Sequence, residues 1–132
     1  MNIQKMIEKV RAHPESGKIG MIASHLGIVR ATSRDGSAVE EIQVAYDYGA
    51  VRSIVDDVKN MPGIVEVLVD TREGRLGIGE EILAVVVAGD IRENVFDALM
   101  TAVNRIDSSP RVSHPRRSNT TAETRFVTWR SA

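Results

Sequence analysis

The sequence predicts an α+β domain with an antiparallel sheet, and three observations carry that reading. Segments with apolar residues every three or four positions are interleaved with segments that alternate every second residue. The strand-like segments fall in pairs joined by short turn signals. Over 132 residues, 42% hydrophobic and 27% charged residues make the balance of one globular unit. A chain of this size buries about two-thirds of the surface its unfolded form exposes and needs no staples.

Ile3, Met6, Ile7 and Val10 recur at helical spacing and predict a helix to about Ala12, stopped by His13-Pro14. Residues 18–30 read as a strand, with Gly20 and Gly27 marking a bend or a close backbone approach. Arg34-Asp35-Gly36 is a hairpin signal, so 38–46 is expected to return antiparallel, with Val44 and Tyr46 on one face and Gln43 and Ala45 on the other. Within 49–60, Val51, Ile54, Val55 and Val58 form a helical stripe, and Met61-Pro62-Gly63 ends it. Residues 64–71 set Val65, Val67 and Val69 against Glu66, Leu68 and Asp70, a strand with one face buried. Residues 80–88 are nearly continuously apolar and read as a central strand. A last helix over 91–106 carries Val95, Phe96, Leu99, Val103 and Ile106 inward. The order is one helix followed by two strand-strand-helix units. Residues 1–106 are the expected domain and 107–132 an arginine-rich tail, with 126–129 a short terminal strand. Ile3, Ile22, Val44, Val55, Val67, Val85, Phe96, Leu99 and Val103 are expected in the core.

With no cysteine, disulfides, thiolate metal sites and a cysteine nucleophile are excluded. The longest apolar run, 82–88, is far short of the ~20 residues that span a bilayer. Residues 1–11 are amphipathic and lack a signal-peptide core, so no membrane is involved and the cytoplasm is the expected compartment. Residues 1–104 hold 11 basic and 16 acidic side chains, whereas 105–132 hold 6 arginines and 2 acids. Such a tail is either a solvated terminus or an anion binder, since guanidinium forks match phosphate and carboxylate. Five aromatics in the whole chain give no stacking platform, which argues against nucleic acid.

Gly74-Arg75-Leu76-Gly77-Ile78-Gly79 lies between strands and lacks a following helix, so it reads as a plain turn and not as a phosphate loop. His13, His25 and His114 are widely separated, and no metal or cofactor is expected. Adjacent acidic pairs such as Glu40-Glu41 and Glu80-Glu81 point to opposite faces of a strand and are poor acid–base pairs. What remains is a set of arginines at element ends: Arg30, Arg72, Arg92 and Arg116-Arg117. Arg92 opens a helix, where side chain and backbone N–H groups both suit an anion.

Gly20-Met21-Ile22-Ala23-Ser24-His25-Leu26-Gly27-Ile28-Val29-Arg30 resembles a strand of the large (catalytic) subunit of molybdopterin synthase that ends Gly-x-Val-Arg. Tyr48 with Val51 is similar to that family's Tyr-x-x-Met, and 71–80 to its His-Arg-x-Gly-x-Leu-x-x-Gly-Glu/Asp turn. Residues 91–98 resemble its His-Arg-x-x-Ala-Phe-x-Ala helix start. The resemblance implies a hammerhead-type fold and a homodimer, which strand edges near 80–88 also favour. It further implies a small ubiquitin-like sulfur-carrier subunit ending in Gly-Gly. The activity implied is sulfur transfer to a phosphate-bearing ligand, cyclic pyranopterin monophosphate. Arg30 and Arg92 match anion-binding arginines of the family, with Arg116 a further candidate. The family's two tail lysines are not matched: Asp107 and His114 stand in their places, and the only lysines are Lys5, Lys9, Lys18 and Lys59. An anionic Asp107 is expected to repel the substrate phosphate, and His114 is the remaining candidate for proton transfer. The alternative to an enzyme is a non-catalytic module that holds a carrier tail or a phosphorylated ligand.

Overall fold

A computed structural model describes residues 1–108 of the chain. Its first helix, α1 (Ile3–Arg11), starts where the Asn2 side chain accepts the Lys5 N–H, and its inward stripe ends at the buried Val10. Ala12 is its C-cap, followed by a 3-10 turn, Ser16–Lys18. Then come β1 (Met21–Ile28), β2 (Glu41–Val44), α2 (Tyr48–Lys59), β3 (Ile64–Thr71), β4 (Gly74–Gly77), β5 (Glu81–Gly89) and α3 (Arg92–Ser108).

β5 is central in a three-stranded antiparallel sheet of order β1-β5-β3. Both its faces are covered, which is why 82–88 is apolar throughout. On one face Val85 and Val87 join Val67, Val95, Ala102 and Ile106 under α2 and α3. On the other, Val86 and Ala88 meet Val10, with Ile3, Met6, Ile7 and Ile22 packed around them. Leu68 of β3 packs on this α1 side, so β3 is covered on both faces and not on one as its alternation suggested.

Four expectations are corrected. The 38–46 segment does not return along β1: beyond the single bridge Thr32↔Ala38 it departs, and β2 pairs with β4 in a separate two-stranded ribbon. The Gly74 to Gly79 stretch is therefore half strand, its pairing supplied by Glu41–Val44 and not by its own propensity. Because β5 is central, the sheet edges belong to β1 and β3, not to 80–88. Phe96, expected in the core, is 51% exposed. The tail and its 126–129 strand lie outside the described residues.

Candidate functional site

Arg30 and Arg92 are positioned by opposite ends of β1. At the far end, the Val29 N–H donates to the Glu80 carbonyl (2.9 Å) and the Val29 carbonyl accepts the Gly79 N–H (2.8 Å). That pair of bonds ties the strand to the 78–80 turn and sends Arg30 into solvent. Ile28 and Ile78 are both exposed beside it. At the near end, a cleft of about 410 Å³ is lined by Gly20, Met21, Asp90, Ile91, Arg92 and Glu93. Gly20 donates to the Gly89 carbonyl (2.8 Å) and has no room for a side chain, because a Cβ would stand 2.0 Å from the Asp90 carbonyl oxygen. From Met21 to Arg30 is nine residues of extended chain, about 30 Å at ~3.3 Å per residue. Within one chain, therefore, the two arginines do not share a ligand.

The cleft is electrostatically mixed. The Asp90 carboxylate accepts the Asn94 side-chain N–H (2.9 Å) and the Ile91 N–H (2.7 Å), and these bonds hold its pKa below the ordinary value. An acid thus already occupies the start of α3, where the helix would favour an anion. Arg92, the first residue of α3, is the cation of that cleft. Arg72, Arg75 and Arg105 have carboxylate partners, Glu80, Glu41 and Asp57. Arg30 and Arg92 have none among the described residues.

α3 adds a feature that the sequence reading missed. Arg105 meets Asp57 of α2 at 3.0 Å, so α2 lies on that side of α3. Phe96 and Met100 project to the opposite side, toward the β1 edge, and are 51% and 65% exposed. Their apolarity was visible in the sequence, but periodicity does not tell a stripe covered by the chain itself from one left open.

Asp107, expected past the last helix, lies within it. The helix runs to Ser108 and turns this side chain inward, where it is 2% exposed. His114 and Arg116 lie outside the described residues. Lys18 and Lys59 are engaged with Glu15 and Glu66, and no lysine lines the Arg92 cleft.

The family model described as MoaE protein matches residues 1–109. The chain belongs to the MoaE family. Solved structures agree in fold. A molybdopterin biosynthesis MoaE protein from Burkholderia ambifaria superposes with a TM-score of 0.73 at 22% identity, over 96% of this chain and 82% of that one. Molybdopterin synthase from Staphylococcus aureus gives 0.70 at 18% identity, over 83% and 81%. A protein–protein complex of subunits 1 and 2 of molybdopterin-converting factor from Helicobacter pylori gives 0.70 at 14% identity, over 99% and 87%. No curated protein matches the chain in sequence. This chain has Ile91 before Arg92, Thr71 before Arg72 and no lysine after Lys59.

Proposed function

We propose that this MoaE-family chain serves molybdopterin assembly as a large-subunit-like protein that holds a phosphate-bearing pterin between two copies of itself. The observation that carries this is the placement of Arg30 and Arg92 at opposite ends of one edge strand. A two-fold contact along that edge sets the start of one β1 against the end of the other. Arg30 of one protomer then approaches Arg92 of its partner, giving two guanidinium groups for one phosphate. The exposed Phe96 and Met100 beside the same edge supply the apolar surface such a contact needs. The Helicobacter pylori complex of subunits 1 and 2 supports a small-subunit partner, whose Gly-Gly tail would enter beside the pterin.

Sulfur transfer is a separate matter. With no lysine after residue 59, the amine chemistry that the family resemblance implies has no donor in the tail. We infer a protein that binds and positions, and that turns over poorly unless His114 moves the proton. The test has two arms. Arg92→Ala should weaken binding of a phosphate-bearing pterin by about 1.5 to 3 kcal/mol, the scale of a lost charged hydrogen bond. Given a thiocarboxylated carrier and the cyclic precursor, native protein should form little molybdopterin and His114→Lys more. Unchanged affinity in the first arm removes Arg92 from the site, and robust native turnover abolished by His114→Ala makes His114 catalytic.

A further inference from the structure

The seam between β1 and α3 contains a polar atom that the fold leaves unsatisfied. His25 lies opposite Val85 in the β1–β5 register, on the face where Met21 and Ala23 join the core under α2 and α3. Its Nε2 is buried and has no hydrogen-bond partner among the described residues. A Cβ on Gly27 would stand 3.4 Å from that nitrogen, with Leu83 atoms at 3.7 and 3.8 Å, so the ring lies along the strand over Gly27. Gly27 does not have a positive φ, and a Cβ there would sit in ordinary contact with the imidazole.

A neutral ring tolerates this place with its proton on Nδ1, leaving Nε2 a bare acceptor. An imidazolium does not, because Nε2–H becomes a buried donor with nothing to meet and the ring carries charge in apolar surroundings. The elements packed on it offer no compensation. β5 carries one ionisable side chain, Glu81 at its start, which meets the Met1 ammonium at 3.4 Å, and none from Ile82 onward. On α3, Arg92, Glu93, Asp97 and Arg105 are exposed, and Asp107 in the last turn is the one buried acid. Burial pushes the imidazole below its ordinary value of 6.5.

We propose that His25 is a proton-operated release for the β1 edge: the strand seats against α3 with a neutral imidazole, and protonation expels the ring and loosens the strand. The sign follows from linkage. The folded chain binds the His25 proton less readily than the unfolded chain, so the stabilisation is full above about pH 6.5 and declines as pH falls below it. The release belongs to the strand itself and operates whether or not a second copy lies along its edge.

The direct measurement is an NMR titration of the native chain, with the His25 ring assigned by through-bond correlation to its own backbone. His25 should titrate below 6.5. As protonation begins, β1 amides should lose exchange protection several-fold relative to β3 amides, after correction for intrinsic rates. In His25→Leu the ratio of β1 to β3 protection should stay constant. A His25 midpoint at or above 6.5, or native β1 protection that tracks β3 across the titration, overturns the proposal. Both readouts come from native protein, so a poorly folding variant leaves the test intact.

Discussion

Glu66 shows how a single side chain in this fold is decided by competing effects. Burial works to raise its carboxyl pKa, but the Lys59 ammonium at 3.0 Å and the Val67 N–H at 2.9 Å outweigh it and hold the group below the ordinary 4.5. His13 Nε2, 3.8 Å from the other carboxylate oxygen, ties the end of α1 into the same cluster. A carboxyl with a depressed folded pKa stabilises above its unfolded value and loses that contribution as pH falls through the folded one. Glu66→Gln is therefore expected to cost about 1 kcal/mol at pH 7, discounted for partial exposure, and progressively less in acid. Urea unfolding of both proteins at pH 7 and pH 3.5 checks it, and an undiminished difference in acid would show that charge is not the cause. At this scale the sequence was informative about position where a residue sits at an element end: Arg92 opens α3 and Arg30 follows β1, as expected. It was misleading for Asp107, because ungapped matching to the family pattern placed it past a helix that in fact runs to Ser108 and buries it.

The helices were legible because their apolar spacing is set by the chain alone: α1, α2 and α3 fall within two residues of the expected bounds. The β2–β4 ribbon was not, since Gly74–Gly77 has little strand propensity and exists by pairing with Glu41–Val44, far earlier in the sequence. Phe96 failed for a different reason. It lies about 100° around α3 from Val95, so an apolar count includes it while the packed face does not. Phe96→Ala should then cost less than about 0.5 kcal/mol in unfolding of the single chain, as surface changes do, while weakening self-association. Sedimentation of the variant alongside its unfolding curve separates the two effects, and a loss of several kcal/mol in the monomer would return Phe96 to the core. The junction of β1 with α3 is expected to be far less tolerant. Gly20→Ala drives a Cβ into the Asp90 carbonyl and should cost roughly 1 to 3 kcal/mol, whereas Gly17→Ala, with nothing within 4 Å, should be neutral or slightly stabilising. Equal thermal midpoints for these two variants would contradict the close approach.

At the scale of the whole molecule, the chain separates what a phosphate site would gather. Its two unpaired family-matched arginines lie about 30 Å apart along β1, and the strand between them has one neighbour, β5, among the described residues. An open edge, an apolar helix stripe beside it and a cation at each end fit an isologous contact better than a single-chain pocket. No helix among the described residues is long and apolar enough to cross a membrane, so the stripe does not belong to a spanning segment. The most direct test of this arrangement is complementation. Arg30→Ala and Arg92→Ala proteins are each assayed for binding of a phosphate-bearing pterin, then unfolded together, refolded as a mixture and assayed again. A site shared between protomers predicts weak binding by either variant alone and recovery of full-affinity sites in the mixture, one in each hybrid dimer. A mixture that binds no better than its two components would contradict the shared site.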